Sequence, residues 1–214
     1  MNEGFKLSMA RNKNTPAETL AALAKDQNAD VRKLVASNPH TLSETLAMLA
    51  KDEDPFVRNT VATNPHTNPD VFAELAKDKS VMVRLAVALN PQTPPVLLPE
   101  VLAELVNNQS ELVRMELAEN QHTPPETLAM LAKDEDPFVR EFVAENPNTP
   151  EETLVKLAKD KKSNVREGVA WNRQSPPELL AMLEKDEDLQ VRSAAAEQEK
   201  KTLNEEAPRR GMKM

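Results

Sequence analysis

The feature that most constrains this chain is a Val-Arg pair that returns at a fixed interval. It stands at Val31-Arg32, Val57-Arg58, Val83-Arg84, Val113-Arg114, Val139-Arg140, Val165-Arg166 and Val191-Arg192, with steps of 26, 26, 30, 26, 26 and 26 residues. The segment ETLAMLAKDEDPFVR occurs identically at 44–58 and 126–140. A chain with such a period is a stack of one small unit, and each unit buries its apolar face only against its neighbours. The pattern points to a scaffold rather than a pocket enzyme.

Composition indicates what the unit is made of. The 214 residues contain five Phe, one Trp, no Tyr and only three Gly. A β-rich fold needs β-branched and aromatic strands and Gly-bearing turns. Ala, Leu, Glu and Lys dominate instead, and these are good helix formers. A net charge of −8 disfavours a general nucleic-acid or anionic-membrane binder. The absence of Cys removes disulfides, thiolate catalysis and cysteine-ligated metals or clusters. The first residues, MNEGFKLSMARNKN, show no apolar secretory core, and no apolar run is long enough to span a bilayer. The expected compartment is the cytoplasm.

Residues 54–80 show one unit. Asp54-Pro55 starts a helix, with Asp accepting free amides and Pro suited to the first position. Val57, Val61 and Ala62 then form one inward stripe. Asn64-Pro65 ends the helix, because Pro disfavours helical geometry before it and Asn tolerates a left-handed turn. The same Asn stands at positions 38, 90, 120, 146 and 172. A second helix opens on Thr/Ser-Pro-x-Glu, as in Thr15-Pro16-Ala17-Glu18 and Thr149-Pro150-Glu151-Glu152, which reads as a capping box. Leu at 46, 49, 128, 131, 154, 157, 180 and 183 is expected to face inward, and Lys-Asp closes the unit. Helices of two to three turns are marginal alone, so stacking must supply their stability.

The first copy is degenerate, with Phe5-Lys6 in place of Val-Arg, and the last lacks the Asn-Pro break. Its helix is expected to run on through Ala194, Ala195 and Ala196 towards Glu206, with a disordered tail from Pro208 to Met214. The expected organisation is a single solenoid over 1–198 followed by a helical extension and tail over 199–214. The 30-residue step comes from four extra residues within 93–100. We place a loop at 93–98 and a helix start at Pro99, since Pro inside a helix costs about 3 kcal/mol. The insertion reads as a bend, a functional loop or a tolerated surplus.

The unit V-R-x-x-V-A-x-N-P-x-T-P, seen in Val139-Arg140-Glu141-Phe142-Val143-Ala144-Glu145-Asn146-Pro147-Asn148-Thr149-Pro150, resembles the leucine-rich repeat variant family. The resemblance covers roughly 5–198. It implies an all-α, right-handed superhelical solenoid of two-helix repeats. The Lys-Asp-x-Asp-Pro-x-Val-Arg segment is also similar to the HEAT repeat. The iron–sulfur module found before the repeats in the founding type needs cysteines, which this chain lacks, so it is not carried over. Family resemblance implies fold more than function.

Several constellations invite a chemical reading. The seven Arg form a row with Asp26, Asp52, Asp78, Asp134, Asp160 and Asp186, each six residues earlier, and Asn108 breaks the series. An anion-binding row is one reading; Arg–Asp bonding within and between units is favoured, because the two repeat in register. His40, His66 and His122 share one turn position. Neighbouring units lie 8–10 Å apart, too far for two of them to share a metal easily. Acidic runs such as Asp52-Glu53-Asp54 lack the Gly and distal Glu of an EF-hand loop. No cofactor and no metal site is expected.

What varies is the surface of the first helix, at the third, fourth and seventh residues counted from Val. Leu85, Leu89, Met115, Phe142 and Trp171 bring apolar bulk there, and Arg173 follows Trp171. Exposed together, they would mark a partner site; alternatively, some pack on a neighbouring helix. The leading expectation is a non-enzymatic scaffold binding a protein or peptide through this face, about 60 Å long over seven units. The alternative is a nucleic-acid-binding or DNA-repair protein of the HEAT-like glycosylase type, which needs a basic groove and aromatics. A DNA-mimicking inhibitor is a third reading, weakened by interspersed Lys and Arg.

Overall fold

The computed structural model describes residues 2–210, with side chains to 201. It is all-helical, and long helices alternate with short ones. The long series is α1 (Glu3–Arg11), α3 (Ala29–Ser37), α5 (Pro55–Thr63), α7 (Val81–Leu89), α9 (Glu111–Glu119), α11 (Pro137–Glu145), α13 (Ser163–Trp171) and α15 (Leu189–Arg210). The second series is α2 (Ala17–Leu23), α4 (Ser43–Leu49), α6 (Pro69–Leu75), α8 (Leu98–Val106), α10 (Pro125–Leu131), α12 (Glu151–Leu157) and α14 (Pro177–Leu183), all of seven residues except α8, which has nine. The chain divides into two compact units, Met1–Leu105 and Val106–Met214. Within the first, α1, α3, α5 and α7 pack successively side by side; within the second, α9, α11, α13 and α15 do the same. The short helices back them. Each unit is a stack of helical repeats.

The core follows the period. Val57, Val61 and Ala62 are fully buried, as are Val139, Val143 and Ala144, and all eight predicted Leu are buried. Each buried Leu contributes about 1.5–3 kcal/mol. Phe72 takes a Leu position in α6 and is fully buried too.

The two long helices that open on Asp-Pro start as expected: Asp54 accepts from the Phe56 amide at 2.7 Å with Pro55 behind it, and Asp136 repeats this with Phe138, whereas α7, α9 and α13 have no side-chain cap. Their ends differ from expectation. The closing Asn are extended, with φ near −70° and ψ near +125°, as at Asn64 (−74°, 129°), and no described residue has positive φ. They are bridges instead. The Asn64 Nδ2 donates to the Ala36 carbonyl of the preceding repeat at 2.6 Å, while its Oδ1 accepts the His66 amide at 2.8 Å. Asn38, Asn90, Asn146 and Asn172 likewise reach the carbonyl 28 residues earlier. A left-handed turn would point the amide away from that carbonyl, so the inter-repeat bond selects the extended form.

The capping box is also corrected. Pro16, Pro124, Pro150 and Pro176 occupy the N-cap positions of the short helices, where no side chain caps. The preceding hydroxyl therefore sits one residue too early to cap. It turns back: Thr15, Thr41, Thr67, Thr93, Thr123, Thr149 and Ser175 each donate to the carbonyl six residues earlier, at 2.5–2.7 Å. It is there a second donor to a last-turn carbonyl that, at all but Leu117, also accepts the amide of the closing Asn.

The four-residue insertion is not a loop over 93–98. Pro95–Leu97 form a 3₁₀ turn and α8 begins at Leu98, one residue ahead of Pro99. Pro99 falls in the first turn, where its missing N–H costs nothing. Leu97 packs on the core of the first unit, which draws the segment in; Val96 stays 84% exposed. At the C-terminus α15 continues to Arg210, past the expected end near Glu206 and into the segment expected to be disordered. Residues 211–214 of that tail lie outside the described residues.

Replacing Asn64 by Ala leaves the buried Ala36 carbonyl without its donor. We expect a loss of about 1–3 kcal/mol, read as a lower urea midpoint with unchanged slope.

Candidate partner-binding face

The Arg–Asp row is structural. Five of the Arg forks grip the carboxylate twenty residues ahead: Arg58 Nε and Nη2 donate to Asp78 Oδ2 and Oδ1 at 2.6 and 2.9 Å. Arg32–Asp52, Arg114–Asp134, Arg140–Asp160 and Arg166–Asp186 are equivalent bidentate pairs. The remaining nitrogen, Nη1, donates to the backbone carbonyl of the Asp six residues back, as Arg58 does to Asp52 at 2.7 Å. The Asp carboxylate also holds its own loop, accepting the amide two residues on. Lys6 takes the Arg position in the first copy and pairs with Asp26 at 2.5 Å. Two Arg depart from this: Arg84 Nη2 pairs with Glu104, also twenty residues on, through one oxygen only, and its buried Nε has no partner, while Arg192 donates to the Asp186 and Glu187 carbonyls and has Met212 twenty residues on.

Burial, the largest single effect, pushes the Asp52, Asp78 and Asp160 carboxyls up; the hydrogen bonds from Arg32, Arg58 and Arg140, the backbone amides two residues on and the nearby cations together outweigh it and hold all three below their ordinary 3.8. For a carboxyl depressed in the folded state, the stabilisation is complete above the unfolded value and disappears as pH falls through the folded one. The melting temperature is therefore expected to be level from pH 7 to about 5 and to fall below about 4. Arg58→Ala strands a buried Asp78 and is expected to cost about 3–5 kcal/mol, whereas near-unchanged melting would show that the row serves something other than stacking.

His40 and His66 in Asn-Pro-His turns and His122 in an Asn-Gln-His turn sit exposed, their amides donating to Asn Oδ1. An open groove of about 510 Å³ is lined by Val106, Asn107, Asn108, Gln109 and the Arg114–Asp134 rung with Glu135. It lies where Asn108 replaces the repeating Asp.

The face left free by these contacts is the outer side of the long helices. The third residue from Val leans toward the following repeat: Asn59 Nδ2 donates to the Met82 carbonyl at 2.8 Å. Apolar bulk there is drawn inward. Leu85 is 2% exposed and belongs to the interior, which corrects its place in the predicted site, and Met115 is half-buried. The fourth residue leans toward the preceding helix. A Cβ on Gly168 would lie 3.1 Å from Ala144 Cβ and 3.2 Å from Glu145 Cγ. Phe142 holds the equivalent place in α11 and is half-buried. The seventh residue is freer: Leu89 is half-buried and Trp171 exposed, with Arg173 exposed beyond it. Trp171 is also engaged internally. Its Nε1 donates to Glu167 at 3.4 Å, and the Lys201 ammonium of α15 lies 4.9 Å from the ring centroid.

One position escaped the sequence reading, the residue before each Val. Phe56, Met82, Leu112 and Phe138 stand there, and they are 71, 47, 64 and 57% exposed. The signal was present as a repeated apolar residue ahead of Val-Arg; counting only forward from Val missed it. In the second unit this apolar edge runs beside an acidic one. Glu116, Glu119, Glu141, Glu145 and Glu167 occupy the third, fourth and seventh places of α9, α11 and α13, and those helices contain no Lys. Burial, then repulsion from Glu141, Glu167 and Glu119, pushes the Glu145 carboxyl above its ordinary value. Among the described residues no helix is long and apolar enough to cross a membrane.

Comparison with known proteins follows the repeats. The leucine rich repeat variant profile matches residues 137–161. A solved leucine-rich repeat variant, described as having a novel repetitive structural motif, is 30% identical, with 86% of this chain and 71% of that one covered and a TM-score of 0.61. The YibA protein of E. coli is 17% identical over 92% of this chain and 96% of its own, with a TM-score of 0.49. An engineered protein is 18% identical over 89% and 72%, with a TM-score of 0.43. No curated protein matches the chain.

Proposed function

The chain belongs to the leucine-rich repeat variant family, and on that premise we propose that it is a non-catalytic scaffold that binds a protein or peptide partner through the outer face of its long helices. One observation carries the reading. The residues that join repeats recur almost unchanged, while the exposed outer positions vary more freely and include large apolar side chains, Phe56, Met82, Leu112 and Phe138 among them. Stacking needs the first set and is indifferent to the second. Aromatic side chains exposed on a rigid frame are what partner surfaces use. The partner-binding set is thereby revised toward Phe138, with Met115, Phe142, Trp171 and Arg173 beside it. Nucleic acid is disfavoured by the five Glu on this face in the second unit.

The test is affinity capture from a native lysate with wild type and a Phe138→Ser/Trp171→Ala variant of matched melting temperature. Loss of specific proteins from the variant supports the reading. Identical capture by both removes this face from consideration, and recovery of nuclease-sensitive material alone replaces the protein partner with nucleic acid.

A further inference from the structure

Resting on that reading, we infer that the outer face of α9, α11 and α13 is built for a basic, apolar peptide segment, its apolar side chains on Leu112 and Phe138 and its Lys or Arg side chains on Glu119, Glu145 and Glu167. The two edges are fixed by position along the helix. Leu112 and Phe138 precede the Val at the N-terminal end, and Glu119 and Glu145 close the C-terminal end. At 1.5 Å per residue the seven-residue step from one to the other spans about 10 Å. One chain projecting side chains alternately to left and right covers that width.

The length also fits. Long helices pack about 8–10 Å apart, so crossing α9 to α13 takes roughly 20 Å, or about six to seven extended residues. The acidic side chains reach across neighbouring helices. Glu141 of α11 accepts from Asn164 of α13, which stands in the place of Leu112 and Phe138, and Gly168 brings α13 close enough to α11 to place Glu145 beside it. The ladder Arg114, Arg140 and Arg166 are occupied by Asp134, Asp160 and Asp186, and so do not neutralise this edge. The charge is therefore left for a partner. Burial first, and then repulsion from Glu141, Glu167 and Glu119, raises the Glu145 carboxyl, and an arriving cation relieves the repulsive part. The equivalent face of α3, α5 and α7 carries Lys33, Asn59, Thr60 and Thr63 and no Glu, so the preference belongs to the second unit.

The test selects peptides from a random dodecapeptide phage library on the immobilised full chain. Selected peptides are then titrated by fluorescence anisotropy against wild type, Glu141→Gln/Glu145→Gln/Glu167→Gln and Leu112→Ser/Phe138→Ser. The expected result is enrichment of alternating Lys/Arg and apolar residues, with each variant weakening binding by about tenfold at unchanged melting temperature. Affinity for wild type should also fall as salt rises, a measurement independent of any variant. Neutral or acidic peptides that are lost with the Ser variant but not the Gln variant, or binding flat in salt, overturn the basic chemistry and leave the protein-binding face standing. No enrichment, or peptides indifferent to both variants, overturns both.

Discussion

The structure depends on one buried ion pair repeated along the stack. Two loops meet at each rung, and neither has enough backbone partners of its own. The Arg fork supplies them: two nitrogens to the carboxylate of the loop ahead, a third to the carbonyls of the loop behind. Burying two charges is costly unless every polar atom is satisfied, and at Arg58–Asp78, with side chains only 6 and 9% exposed, the guanidinium nitrogens are all engaged. The attraction is directional, so it sets spacing and register. The apolar core cannot do this, because burial is roughly proportional to area and indifferent to which neighbour provides it. Helices of nine and seven residues would otherwise slide or fray.

The opposite end of each long helix is pinned by different chemistry with the same logic. The Asn bridge joins a repeat to its predecessor, and the Thr or Ser hydroxyl closes the helix on itself. Together with the rung they fix both ends of a nine-residue rod. Its inner side is the Val-Ala stripe. Only the outer side escapes all four demands, and there the sequence varies most, even though Phe56 recurs as Phe138. The insertion before α8 shows the tolerance of the scheme. Glu104 keeps the twenty-residue spacing from Arg84, but a monodentate contact replaces the fork and leaves Nε without a partner.

Much of this was legible in the sequence. Period 26 identified the stack, and Val, Ala and Leu spacing identified the core residue by residue. The Arg–Asp register identified a structural pair, although the carboxylate that each Arg holds lies twenty residues ahead rather than six behind. That distinction is invisible in a strict repeat, where every Arg has an Asp in both directions. The Thr and Asn roles were misread for one shared reason: local motifs such as a capping box are judged on neighbours in sequence, whereas Asn38 and Asn64 answer to carbonyls 28 residues away. Leu85 was misplaced because the lean of the third position toward the next repeat comes from packing, not from helical periodicity. Phe138 was overlooked for the converse reason, since it repeats like a core residue yet points outward.

Repetition has a consequence for charge that helps interpret the outer face. Identical register sets the third and seventh residues of one long helix beside those of the next, so any charge used in successive repeats meets its own kind. Glu141, Glu145 and Glu167 are in this position, and the Glu145 carboxyl registers the conflict. Stacking does not demand it. In α5 the same places hold Asn59, Thr60 and Thr63, two of which bond within their own helix while Asn59 bridges to the next repeat. A neutral polar residue thus serves the fold at least as well as Glu. The acidic edge is then a cost borne by the folded second unit, on the order of a few tenths of a kcal/mol per exposed like-charge pair. Such a cost is offset only when opposite charge arrives from outside, which makes the crowding of these glutamates, beside an exposed Leu112 and Phe138, an attribute of recognition and not of architecture.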